Sequence, residues 1–506
     1  MRKLVSILLL LALVLSVCAC GGGDKTASTS ATTQTPSAEA TTVPAGMDDP
    51  YAGVFRVGYA RTVITPTLPV PMRGYGNTSQ RVSGDVRDDL YATCTVISDE
   101  QNNSVAIFTM DLCQVQEEPL ERIRSIALEY GFAPENLFVN SSHTHAGPDT
   151  ASGLESAVEY KEYLYDQVEK ALQKALEDRS PVTDMSVGIG QTENMNFSRH
   201  YILEDGSYAG DSFGDWSRAP IAQHVVEADP EYRLLRFQRE TGKDVVLMNW
   251  QSHPSLCGWV DGGPSLLHSA DFVHPLRESM EELADCYFSY MQGAAGGNNN
   301  GSRMTDEGYK GGPDVYMQFG YEMACMANET LENHMTSVQT GTIRTTRTEI
   351  TLPINHDQDT LFYKAKELSA IWKTTGDREQ IYELGRPYGI SSPYHAEAIV
   401  SRYSMGESAS FYVGAFSIGD EVGFTTAPFE TFDVNAKYER ENSPFRFTFT
   451  LGYTNGSMGY LPADYVWDYT SYETDTHRFH RGSAEVVQST HMEQLTALSE
   501  LAKAEE

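Results

Sequence analysis

No two cysteines in this 506-residue chain stand in a Cys-x-x-Cys arrangement. Of the seven present, Cys18 and Cys20 fall within the first twenty residues, leaving Cys94, Cys113, Cys257, Cys286 and Cys325. Five cannot all pair. Neither a disulfide framework nor a thiolate metal site is indicated, and free buried thiols are expected. Positive charge is scarce too: 37 Lys+Arg stand against 70 Asp+Glu, a formal net charge of −33. Such a surface repels nucleic acid and anionic lipid headgroups, which excludes nucleic-acid partners and a basic membrane-binding face. Solubility outside a cell accounts for most of the acid. Also missing is an apolar run of the ~20 residues that a membrane-spanning helix needs.

The amino terminus is informative. Met1-Arg2-Lys3 precedes a mostly apolar run from Leu4 to Leu15 and then Val17-Cys18-Ala19-Cys20-Gly21. A basic start, a short apolar stretch and small residues before a cysteine describe a bacterial lipoprotein signal peptide over 1–19, with Cys20 lipidated. Removal at a plain secretory site is the alternative. Losing Arg2 and Lys3, with no acid, takes the net charge to −35. The expected location is the bacterial cell surface or periplasmic face, held to the membrane through the lipid anchor only. Residues 20–52, rich in Ser, Thr, Ala, Pro and Gly, read as a disordered tether. With no repeat and no second linker, 53–506 reads as one large domain.

That domain alternates strand and helix patterns. Val57–Pro66, Thr93–Ser98, Val105–Met110 and Asn136–Asn140 read as strands; Glu117–Tyr130 and Leu154–Glu177 read as helices. Further strands are expected at Lys243–Asn249, Ser410–Ser417, Val422–Thr426 and Phe445–Leu451. The fold class is α/β, with mixed β-sheets flanked by helices and an active site in loops at strand ends.

Metal-competent side chains recur in those loops. Asn140-Ser-Ser-His-Thr-His-Ala-Gly-Pro-Asp149 follows a strand, and His143 and His145, two apart, share one face in an extended backbone. His253 follows Lys243–Asn249 in Gln251-Ser-His-Pro254, Glu430 lies just past Val422–Thr426, and Tyr460 follows Phe445–Leu451. Imidazole plus carboxylate is the donor set of a catalytic zinc that keeps one position for water. Each residue alone has a plainer reading as a capping, packing or solvated group; the recurrence favours the metal.

Val57–Pro66, Gly84–Ala92, Ser142-His-Thr-His-Ala-Gly-Pro148 and Asn249-Trp-Gln-Ser-His-Pro254 together resemble the neutral/alkaline ceramidase family, extracellular zinc amidases that cleave the N-acyl amide of ceramide. The resemblance spans roughly Phe55 to Leu501, without the C-terminal immunoglobulin-like domain of the best-known members. It implies Zn2+ held by His143, His253, Glu430 and Tyr460. His145 is implied to hand a proton to the leaving amine, with Arg199 and Tyr472 as further active-site residues and a small amphiphilic N-acyl substrate. Asp111 and Asp271 are candidates for orienting the ligand histidines, with solvated loop acids as the alternative.

One position departs from the family. Its serine, in Gly-Asp-x-Ser-Pro-Asn, aligns with Asn299 in Gln292-Gly-Ala-Ala-Gly-Gly-Asn-Asn-Asn-Gly301. An amide can hold a substrate carbonyl but has no hydroxyl to deprotonate. Either the serine is not a nucleophile, or this chain is a divergent surface lipoprotein that binds lipid or envelope glycan, or one that hydrolyses a different amide or ester.

Overall fold

The computed structural model describes residues 30–33, 49–75, 81–210, 219–260, 263–301, 304, 308–309, 312, 314–469 and 471–505. The leader, Cys20 and the rest of the expected tether up to residue 48 lie outside them. Within that stretch Ser30–Thr33 forms an edge strand, antiparallel to Thr348–Thr351, where a sheet edge offers unpaired backbone groups.

Nine strands make the larger sheet. From one edge the order is Tyr287–Gln292, Val245–Trp250, Glu231–Arg239, Ser180–Gln191, Arg56–Val63, Tyr91–Ser98, Ser104–Met110 and Leu137–Ser141. Met335–Val338 pairs beside Ser180–Gln191. Neighbours are antiparallel except at the two edges, where Val245–Trp250 runs parallel to Tyr287–Gln292 and Ser104–Met110 to Leu137–Ser141. The second sheet carries Ile343–Pro353, Ser408–Ile418, Val422–Thr426 and Phe447–Leu451, its last pair parallel.

The near-continuous apolar strands follow from burial on both faces. In Ser104–Met110, Ala106, Phe108 and Met110 join the core beneath the helices, while Val105 and Ile107 face the second sheet. Helices Glu117–Glu129, Glu155–Glu177, Val273–Ala284 and Val315–Asn333 pack on the first side. Ser483–Glu505 covers the far side of the second sheet through Leu495 and Leu498. Between the sheets Phe416 stacks on Phe424 at 4.1 Å and Phe424 on Phe449 at 4.8 Å. Burying each such ring contributes about 1.5–3 kcal/mol.

Between Pro353 and Ser408, which face each other in the ladder, the chain makes a helical excursion of Phe362–Thr375, Arg378–Gly385 and Pro393–Tyr403. It has its own small core of Ala365, Leu368, Ile381, Ile390, Ala396 and Ile399. Cys94, Cys113, Cys257 and Cys286 are free and buried, as expected; Cys325 is free but exposed. Among the described residues no helix is long and apolar enough to cross a membrane.

The parallel pairs bring the carboxyl ends of their strands to one end of the molecule. There the Asn140 amide donates to the carbonyls of Gln292 and Gly452 at 3.2 and 2.8 Å and to Thr454 Oγ1 at 2.9 Å, and its oxygen accepts from Gln292 N at 2.9 Å. One buried side chain thus ties both edges of the larger sheet to the second sheet.

Candidate metal centre

The loop after Leu137–Ser141 is anchored by Ser142 N to the Met110 carbonyl and His143 N to the Leu112 carbonyl, at 2.9 and 3.0 Å. The backbone is not extended at His143, whose φ is +67°. This left-handed kink, uncommon outside glycine, corrects the reason given above for the two rings sharing a cavity. The sharing holds: the His143 and His145 rings are 4.9 Å apart, and His143 and His253 5.1 Å.

His143 Nδ1 lies 2.8 Å from the Cys113 carbonyl, and His253 Nδ1 3.0 Å from that of Asn298. A carbonyl only accepts, so both rings carry their proton on Nδ1 and leave Nε2 free as a donor to a metal. Both Nε2 atoms point at Glu430 Oε2, at 3.4 and 3.7 Å. Those separations are long for a hydrogen bond. His253 Nε2 and Glu430 Oε2 are buried without a hydrogen-bond partner among the described residues. Two imidazole nitrogens and one carboxylate oxygen of buried residues, within 4.8 Å of one another, fit a divalent cation. Cys113 Sγ also comes within 3.7 Å of His143 Nδ1, but that nitrogen is already engaged by the Cys113 carbonyl.

Glu430 reaches the cluster from the loop after Val422–Thr426. It forms a two-residue parallel ladder with Tyr460, so the two side chains sit side by side. Gly296 permits the close approach of this ladder: a Cβ there would meet the Glu430 carbonyl at 2.4 Å. Burial alone would raise the Glu430 pKa, but His143 and His253 beside it hold it well below the usual carboxylate range. Tyr460 is pushed up, by burial and then by Glu430, with Arg199 opposing. Its phenol coordinates well only where a cation favours the phenolate.

His145 sits at the edge of the cluster, its ring 4.9 Å from that of Tyr75. Its backbone N–H donates to the Pro254 carbonyl at 3.0 Å, linking the two histidine loops. Burial, then the charges of His143 and His253, holds its pKa well below the ordinary histidine value, and Nδ1 is buried without a partner among the described residues. Gly74, with φ +117°, lies against it; a Cβ there would be 2.6 Å from His145.

Arg199 follows the short strand Phe197–Ser198, which pairs with Asn298–Asn299. Asn299 therefore stands opposite Phe197, one residue from the carbonyl that orients His253. The Arg199 guanidinium lies 5.6 Å from the Tyr460 ring and 5.9 Å from the Tyr472 ring. It is paired through Nη2 with Glu473 Oε1 at 2.6 Å, and Glu473 Oε2 is 3.0 Å from His200 Nε2. Burial raises the Glu473 pKa, yet Arg199 and His200 bring it down to about 2. Nothing in the sequence pattern marked Glu473, except that it adjoins Tyr472.

Asp111 and Asp271 do not orient the histidines. Asp111 takes both oxygens to Arg277 Nη2 at 2.8 and 2.9 Å, and Asp271 accepts from the backbone of Cys257 and Phe272. Backbone carbonyls do the orienting instead.

Comparison with known proteins bears on the fold that carries this cluster. Residues 55–255 match the family model of neutral/alkaline non-lysosomal ceramidase, N-terminal, a span containing His143, His145, Arg199 and His253. The crystal structure of neutral ceramidase from Pseudomonas aeruginosa superposes with a TM-score of 0.64 at 15% identity, over 88% of this chain and 75% of that one. A ceramidase complexed with C2 gives 0.64 at 14% identity, over 88% and 76%. No curated protein matches the chain in sequence. The chain has the ceramidase fold.

Proposed function

We propose that this chain is a ceramidase-type hydrolase that cleaves an N-acyl amide outside the cytoplasm, using zinc. One observation carries the reading: His143 Nε2, His253 Nε2 and Glu430 Oε2 meet beyond the carboxyl ends of the sheet strands, the last two buried without a hydrogen-bond partner among the described residues. His143, His253, Glu430 and Tyr460 would hold the cation. When bound, zinc in such a donor set polarises a carbonyl and makes water acidic enough to attack near neutral pH.

The chain's own groups do the rest. Water adds to the amide carbonyl carbon, and the bond from that carbon to nitrogen breaks. His145, kept neutral by burial and by its charged neighbours, takes the proton that water gives up and returns it to the nitrogen, so that a neutral amine leaves. Arg199 lies over the Tyr460 ring, Tyr472 meets that ring edge to face at 5.5 Å, and the two stabilise negative charge developing on the carbonyl oxygen. Removing one donor of that kind costs about 3–4 kcal/mol of barrier. Asn299, lacking a hydroxyl, can hold the substrate but not act as a nucleophile.

The leader and Cys20 support a lipid-anchored protein on the cell surface or periplasmic face, meeting an amphiphilic substrate at the membrane it is tethered to. Purified protein incubated with a panel of N-acyl amides is expected to release free fatty acid, and a chelator is expected to stop it. Metal-loaded protein that binds these amides and releases nothing would support the non-catalytic lipoprotein suggested by Asn299.

A further inference from the structure

One buried side chain at the centre has no part in the mechanism above. Tyr453 follows strand Phe447–Leu451, its ring centred 4.2 Å from that of His143. It is 4% exposed, and its hydroxyl is buried without a hydrogen-bond partner among the described residues. Its φ is +52°, a conformation that bulky side chains adopt only where the surroundings over-determine it.

Those surroundings are the ligand loops. Tyr453 N donates to the Phe429 carbonyl at 2.9 Å, one residue before Glu430. Its carbonyl accepts from Ser141 N at 3.1 Å, two residues before His143. Thr454 bridges to Asn140 on the other side. The backbone is thus stitched to the segments that carry His143 and Glu430, which fixes where the ring starts from. A strained backbone and an unpaired buried hydroxyl at one residue are unfavourable in the free protein and cluster where function retains them. Of the two donors named above, Arg199 already spends Nη2 on Glu473, which leaves room for a further donor beside Tyr472.

We propose that Tyr453 is a further catalytic residue, its hydroxyl donating a hydrogen bond to the carbonyl oxygen of the scissile amide as negative charge develops there. The proposal rests on the hydrolase reading and names a donor for the same reaction. No covalent bond to Tyr453 forms, and its proton stays on the phenol.

Tyr453→Phe and the unaltered protein, both loaded with zinc, test it. Zinc stoichiometry, affinity in a chelator competition and melting temperature are expected to match, because the variant loses only an unpaired hydroxyl. kcat is expected to fall by about 10²–10³-fold, with KM within about threefold. Affinity for a phosphonate analogue, with tetrahedral phosphorus in place of the carbonyl carbon, is expected to fall by a similar factor, while affinity for the planar amide holds. Unchanged kcat and analogue affinity would overturn the role. So would loss of zinc, which would make Tyr453 a ligand. If the Phe variant does not fold, 3,5-difluorotyrosine at position 453 replaces it: altered analogue affinity at fixed zinc supports the donor, unaltered affinity overturns it. Unaltered protein that holds zinc and turns over no amide defeats the hydrolase reading; an active protein with an equally active Phe variant defeats only this inference.

Discussion

His143 and His253 are aimed by neutral backbone carbonyls, whereas Glu430, Tyr460 and Arg199 are held among charges. The imidazole side hangs from the larger sheet, where Cys113 and Asn298 carbonyls fix each ring through Nδ1. On the opposite side Glu430, Tyr460 and Glu473 come from the second sheet and the segment after it, and Arg199 and His200 reach Glu473 from the insertion between Ser180–Gln191 and Glu231–Arg239 to form a buried chain. A neutral acceptor fixes direction and tautomer without depending on pH. A buried ion pair positions its members only while both remain, because an uncompensated buried charge is expensive. The two sides should therefore fail differently.

The largest failure is expected on the imidazole side. His143→Ala should abolish stoichiometric zinc and turnover together, by metal analysis and product release; full metal content in that variant would show the ligand set to be wrong. His145→Ala lies on the same loop but outside the donor set. It should keep zinc and lose about 10²–10⁴-fold in kcat.

On the charged side, Glu473→Gln leaves Arg199 buried without its carboxylate. Stability should fall by about 3–5 kcal/mol in urea unfolding, with zinc still bound to the native fraction and turnover reduced. Retained stability would mean that Arg199 is held by other contacts, and the contrast between the sides would soften.

The smallest effect concerns Asp475, which shares helix Tyr472–Thr476 with Glu473. Burial pushes its carboxyl up to about 7, against the hydrogen bond from Ser391 and the charge of Arg402. Because the folded pKa lies above the unfolded one, the folded state prefers the proton. That stabilisation is complete below the unfolded value and drains away as pH rises through about 7. Between pH 5 and 7 the unaltered protein should lose about 2 kcal/mol relative to Asp475→Asn. Parallel unfolding curves for the two proteins would refute it.

The contrast also governs how much the sequence disclosed. His143, His145 and His253 are short-range signals, readable as motifs beyond apolar strands that lie close to where periodicity puts them. Glu430 and Tyr460 carry no such motif and were reached through family resemblance and their places after strands. Glu473 and Tyr453 were not reached at all. Glu473 meets a histidine 273 positions away, and Tyr453 matters through an orphan hydroxyl and a backbone angle that no residue pattern displays. Asp111 and Asp271, read as either histidine-orienting or solvated loop acids, are neither: both are buried, and an acid that pairs with an arginine or caps a backbone turn looks the same in sequence as one that orients a ligand.

The excursion between Pro353 and Ser408 leaves and re-enters its sheet at facing positions, so topologically it is an oversized hairpin turn. Its bundle has a nucleus of its own, and it meets the catalytic end at the Tyr472–His477 segment, through Tyr394 against Tyr472 at 5.6 Å, Ser391 on Asp475 and Arg402 on the Asp475 and His477 carbonyls. Changes of size or shape within this module can therefore reach the site by a route from Arg402 through His477 to the Tyr460 carbonyl, and leave the His143, His253 and Glu430 loops on their own sheets. Homologues would then differ most in what they admit, and least in the reaction they perform.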